Sequence, residues 1–241
     1  MNTANFYYIG IILTCLVICY HYLPSDFTQE SFGTKIKQIY CVGDSMLNNA
    51  RYVGVGESVL DYLQLFGKKN SCNYVMLAKD GARLSDAFQQ VDGFEITPSI
   101  SNGDCIVISI GGNDLLAGAT NILSENILSE NILSENILSE DAETLFQRFL
   151  DLVKSIHVKF DSTNNKTQLF VLNLYYPAAK PRFHGRIRQW NAWLDEHASS
   201  AGYTVIHTDS VITADSDLCY KIEPSAQGGE KIAGLIVGAT C

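Results

Sequence analysis

Short, dense apolar runs alternate along this chain with longer stretches in which apolar residues recur every three or four positions. Cys105-Ile106-Val107-Ile108-Ser109-Ile110 is the densest run, and Tyr74-Val75-Met76-Leu77-Ala78 is a shorter one. These runs predict strands over 35–42, 73–78, 104–110, 167–173 and 203–208. Helices are expected over 57–66, 84–91, 142–158, 185–199 and 225–237. Thr144 to Val153 carries its apolar residues on one helical face, as does Ile187 to Leu194, whose two tryptophans are read as core. Strand and helix alternate in order, which predicts an α/β fold: a three-layer α/β/α sandwich around a parallel sheet of about five strands.

Three segments fall outside this alternation. Phe6 to Leu23 is apolar apart from Thr14 and His21, near the lower length limit of a membrane-spanning helix. Tyrosines cluster at both its ends, as interfacial aromatics do. No Lys or Arg precedes it and no small-x-small cleavage site follows. Residues 1–23 are therefore read as a membrane anchor, with a cleaved signal segment or a buried helix as alternatives. Residues 24–34 read as a polar linker, and 35–241 as the folded domain. Within that domain, 121–140 is four perfect copies of Asn-Ile-Leu-Ser-Glu. A period of five turns each copy by about 140° on a helix and flips faces on a strand, so neither form gathers the Ile-Leu pairs into one stripe. The tract is read as a repeat expansion in a surface loop or helix end. A self-association role is the alternative, in which deleting the tract changes the oligomeric state and leaves the fold. The sequence does not give the oligomeric state itself.

Composition narrows the function. The 241 residues are 46% apolar, enough for a full core, and the net charge is −9. That balance argues against a nucleic-acid or anionic-membrane surface, which needs clustered Lys and Arg. Beyond the apolar segment lie Cys41, Cys72, Cys105, Cys219 and Cys241, whose spacing matches no zinc site. Five is odd, so at least one thiol stays free in a monomer, and cysteine does not fix the compartment.

The candidate chemistry sits at three expected strand ends. Gly43-Asp44-Ser45 follows the first strand, Asp80-Gly81-Ala82 the second, and Gly111-Gly112-Asn113-Asp114 the third. Open α/β sheets bind ligands at such ends. A hydroxyl, a flexible backbone amide and a carboxamide together make the inventory of acyl transfer, a nucleophile with oxyanion donors. Leu47 stands where a Gly-x-Ser-x-Gly elbow would place its second glycine, which disfavours an α/β-hydrolase. These blocks, in this order, resemble the SGNH (GDSL) hydrolase family over about 35–238. The resemblance implies an SGNH-hydrolase, flavodoxin-like sandwich. It implies Ser45 as nucleophile, and an oxyanion hole made of the Ser45 and Gly81 amides and the Asn113 side chain. Asp44 and Asp114 read as structural. No metal and no organic cofactor is implied. The substrate would be an ester-bearing small molecule, a lipid or an acetylated glycan.

The last block departs from the family. Where the family carries Asp-x-x-His-Pro, this chain carries Tyr220-Lys221-Ile222-Glu223-Pro224. Glu223 takes the histidine position and Tyr220 the aspartate position. Three readings stay open. Glu223 is the general base, its pKa raised by burial and its carboxylate held by Tyr220. A histidine arrives from elsewhere, His207 or His184. Or the chain is a weak or inactive relative that binds an acyl or glycan ligand. The expected activity is serine ester hydrolysis or acyl transfer, outside the cytoplasm if residues 1–23 anchor the chain.

Overall fold

The computed structural model describes residues 36–93, 104–123, 139–161 and 166–241. All lie in the compact unit that begins at Ile36. The expected anchor and linker, and residues 124–138 of the repeat tract, lie outside the described residues. Among the described residues no helix is long and apolar enough to cross a membrane.

Five parallel strands form the sheet: β1 (Lys37–Gly43), β2 (Cys72–Met76), β3 (Cys105–Ser109), β4 (Gln168–Leu172) and β5 (Thr204–Ile206), in the order β2-β1-β3-β4-β5. All five residues of β3 are buried, which explains its unbroken apolar run. The order reverses at β1, so the C-terminal ends of β1 and β3 flank a switch point where a ligand crevice forms. Gly43 pairs in register with Ser109 across this point.

Helices cover both faces. On one, α1 (Val59–Lys69) packs against the last helix, α6 (Ala226–Thr240). Buried Val59, Leu63 and Gly67 make the contacting stripe of α1, four residues apart. Ser58 caps α1: its hydroxyl accepts from the Asp61 amide, and Asp61 returns a bond to the Ser58 amide. The other face carries α2 (Leu84–Asp92), α4 (Ser139–Phe160) and α5 (His184–Ala201), with α3 (Gly112–Leu123) against α5. Both tryptophans join the aromatic packing there. Trp193 stacks on Phe146 at 4.4 Å between centroids, and Trp190, fully buried, meets Phe149 edge-on at 5.5 Å.

The expected strands and helices all form, with ends shifted by a few residues. Among the described residues, beyond the short 3-10 turns at Pro181–Phe183, Thr208–Ser210 and Asp215–Asp217, two features were not foreseen. One is α3, which begins inside the Gly112-Asn113 block and takes in the first residues of the repeat. The other is a hairpin of β6 (Leu218–Cys219) and β7 (Glu223–Pro224). Cys72 and Cys241 form a disulfide, tying the start of β2 to the end of α6. Cys41, Cys105 and Cys219 are free thiols, the first two buried in strands.

Candidate active site

The end of β1 is fixed by three side chains. Gly43 has φ +133°, and a Cβ there would stand 1.8 Å from the Ser109 carbonyl oxygen. Only glycine lets β1 and β3 run this close. Buried Gln90 accepts from the Gly43 amide at 2.7 Å and donates to its carbonyl at 2.9 Å. Asp44 then turns the chain: its Oδ1 accepts from the Met46 amide at 3.1 Å and from the Ser109 hydroxyl at 2.7 Å. This is the structural role expected of Asp44, and it presents Ser45 at the sheet edge. Burial pushes the Asp44 carboxyl up to about 7; the Ser109 and Met46 bonds oppose the rise, and the charges of Glu223 and Asp114 add to it.

Glu223 reaches the same place from the far end of the chain. Its side chain lines the same cleft as Ser45. Burial raises its pKa, the Ser45 hydroxyl beside it opposes that, and the nearby Asp80 charge adds to it. Glu223 opens β7, after a turn closed by the Ile222 amide on the Cys219 carbonyl at 3.1 Å. Tyr220 and Lys221, at the centre of that turn, have φ of +49° and +58°. Positive φ at both central residues makes the turn left-handed, and the pairing of Cys219 with Glu223 closes the hairpin over residues 220–222.

Tyr220 is not the partner of the carboxylate. Its ring is 79% exposed and meets Tyr52 edge-on at 6.2 Å. The left-handed turn that delivers Glu223 inward sends Tyr220 outward. The two histidines do not supply a base either. His207 is half-exposed, 3.7 Å from Asp195 and 3.3 Å from the Asn173 amide nitrogen. His184 bonds the Pro177 carbonyl at 3.1 Å and meets Tyr176 edge-on. Neither lines the cleft at Ser45.

Asn113, second residue of α3, lines that cleft. Its Nδ2 donates to the Ala82 carbonyl at 3.0 Å, which holds the carboxamide and leaves its second N–H for a ligand. Gly81 has φ +75° with open space where a Cβ would be, so backbone conformation rather than crowding demands glycine there. Its neighbour Asp80 is near enough to act on Glu223, while Gly81 itself does not line the cleft. Asp114 accepts from the Leu84 amide at 3.0 Å and so fixes the start of α2 beside the Gly81 loop. Gly111 has φ +106°, and a Cβ there would come 2.6 Å from the Trp190 ring.

The cleft itself was not legible in the sequence. It has a volume of about 530 Å³ counted out to its mouth. Leu115, Leu116, Leu174, Phe183, Ile187 and Ile222 supply its apolar wall, and Ser45, Asn113 and Glu223 stand together at its polar part. These wall residues come from α3, the segment after β4, α5 and the hairpin, so no local pattern marks them. Among the described residues no group of three or more His, Cys, Asp or Glu is arranged to hold a metal.

Comparison with known proteins shows the family and the fold. Residues 41–230 match the model of the GDSL-like lipase/acylhydrolase family. A lipase from a goat rumen metagenome superposes with a TM-score of 0.68 at 20% identity, covering 84% of this chain and 97% of its own. A lipase/acylhydrolase from Enterococcus faecalis gives 0.59 at 17% identity, with 84% and 94% covered. The psychrotrophic esterase EstA from Pseudoalteromonas sp., in a form inhibited by monoethylphosphonate, gives 0.58 at 12%, with 84% and 95% covered. No curated relative matches by sequence.

Proposed function

The chain belongs to the GDSL-like lipase/acylhydrolase family, and on that footing we propose that it is a serine ester hydrolase, or acyltransferase, whose general base is Glu223. One observation carries the reading: Ser45 and a half-buried carboxylate, Glu223, line one apolar cleft together.

The steps follow from the groups present. The acyl part of an ester lies on the apolar wall, with its carbonyl carbon at Ser45. Glu223 accepts the hydroxyl proton as Ser45 Oγ bonds to that carbon. The oxyanion that forms is held by the Asn113 carboxamide and the Ser45 backbone amide, the two donors that line the cleft. Each such donor is worth about 3 kcal/mol of barrier. Protonated Glu223 gives its proton to the departing alcohol oxygen as the C–O bond breaks, leaving a seryl ester. Water, or an acceptor alcohol, then attacks with Glu223 again taking the proton, which passes to Ser45 Oγ as the acyl bond to it breaks and the serine is released. An ordinary carboxylate is too weak a base for this at neutral pH, and burial corrects that in the needed direction. Charge is conserved: one negative charge moves from Glu223 to the oxyanion and back.

The wall residues favour an apolar acyl group over acetyl. The Cys72–Cys241 disulfide supports an oxidising, extracytoplasmic compartment, and residues 6–23 fit an anchor to the membrane.

Fluorophosphonate labelling of the full chain across pH 5–9 tests the reading. Labelling that requires both Ser45 and Glu223, and rises through one ionisation, is expected. Labelling that survives Glu223→Gln unchanged removes Glu223 as base. No labelling of folded protein at any pH leaves a ligand-binding cleft without turnover.

A further inference from the structure

Glu223 has little of its own to stand on. It belongs to a two-residue strand, and the residue after it, Pro224, has no amide to donate. The preceding turn holds two non-glycine residues at positive φ, each costing about 1–2 kcal/mol. An imidazole base has a second ring nitrogen by which a neighbour can orient it. An ionised carboxylate has no N–H to be gripped. Its aim must come largely from the backbone on either side.

Both sides are gripped. The Tyr175 hydroxyl donates to the Ile222 carbonyl at 2.7 Å. The Asn49 carboxamide donates to the Pro224 carbonyl at 3.0 Å and accepts from the Val59 amide at 2.8 Å. Asn49 is fully buried and Tyr175 is nearly so. Tyr175 follows β4 and Asn49 lies four residues beyond Ser45, so the two bonds tie the hairpin to the sheet, to the start of α1 and to the Ser45 loop. We propose that Tyr175 and Asn49 are positioning residues that hold the Glu223 carboxylate on the Ser45 hydroxyl by fixing the peptide carbonyls before and after it. Burial, with the charges of Glu223 and Asp44, raises the Tyr175 pKa, so its phenol stays a donor wherever the site works.

This inference rests on Glu223 acting as base, and one kinetic set separates the two. The full chain is assayed on p-nitrophenyl butyrate, with the folded fraction of each variant fixed by circular dichroism and its urea transition so that only folded protein is compared. Tyr175→Phe keeps the ring in the cleft wall and removes one bond. It is expected to lower kcat about 10–100-fold, the scale of a misplaced catalytic group, with KM within about twofold. Asn49→Ala is expected to show the same split. Tyr203→Phe removes a comparable buried bond, from its hydroxyl to the Leu194 carbonyl at 2.8 Å, and is expected to leave kcat unchanged. Because Tyr175 acts through Glu223, the Tyr175→Phe/Glu223→Gln double variant is expected to be no slower than Glu223→Gln alone. A Tyr175→Phe enzyme with wild-type kcat, or losses that multiply in the double variant, overturns the positioning role while leaving Glu223 as base. Full activity in Glu223→Gln overturns both.

Discussion

At the scale of single residues, two carboxyls set how this protein should answer pH. Glu223 must be ionised to accept the Ser45 proton, so turnover should rise with pH through a midpoint above the ordinary 4.5. A rate that stays flat down to pH 4 would remove Glu223 from the mechanism. Glu223→Gln should cost about 10²–10⁴-fold in kcat, the usual weight of a general base. Asp44 bears on stability instead. Its folded pKa of about 7 lies above its ordinary 3.8, so the folded state favours the protonated acid. The stability this gives is fully present below about pH 4 and is lost as pH rises through 7, on the order of 4 kcal/mol in all. Urea midpoints of the wild type should therefore fall between pH 5 and 8. Asp44→Asn keeps an oxygen for the Met46 amide and the Ser109 hydroxyl and does not titrate. Its midpoints should fall much less over the same range, and an equal fall would mean that Asp44 is not the group responsible.

At the scale of elements, two turns position the chemistry, and they do so differently. The β1 end depends on a glycine: the Cβ in Gly43→Ala would lie 1.8 Å from a backbone oxygen. Neither strand can shift without breaking its register, so a loss of more than about 4 kcal/mol is expected in chemical unfolding. The β6–β7 turn uses side-chain-bearing residues where glycine would be easier. Lys221→Gly should raise stability by about 0.5–1 kcal/mol in the same measurement, strain relief exceeding the entropy cost of glycine. The sequence showed the first turn because Gly-Asp-Ser directly follows an apolar run. It hid the second, because Tyr-Lys carries none of the Asn-Gly chemistry that marks hairpins. Helix α3 was hidden for a related reason. It starts on Gly112-Asn113, with no apolar stripe set off from the repeat that follows.

At the scale of the whole molecule, the sheet order gathers distant segments at one switch point. Ser45 follows β1, Asn113 follows β3, and Glu223 arrives after β5. The chain ends must hold for this assembly to persist, and the disulfide closes a sequence separation of 169 residues between β2 and the end of α6. Replacing Cys72 and Cys241 together by Ser should cost about 2–5 kcal/mol in urea unfolding. A change under 1 kcal/mol would show that α6 holds by packing on α1 alone. The apolar cleft is also a property of this scale, since its wall comes from four separate parts of the chain.

The sequence by itself determined the α/β alternation, the five strands and the strand-end blocks around Ser45, Gly81 and Asn113. Those are local matters: apolar period, turn chemistry and the glycines that permit close backbone approach are written within a few residues. It also placed Glu223 in the position a histidine would occupy, without deciding what that substitution does. Only the tertiary structure brought Glu223 to Ser45, turned Tyr220 away, left His184 and His207 off the cleft and paired Cys72 with Cys241. Each of those outcomes depends on contacts between segments far apart in the chain. Tyr175 and Asn49 bond the Ile222 and Pro224 carbonyls on either side of that carboxylate, and neither residue stands near Glu223 in sequence.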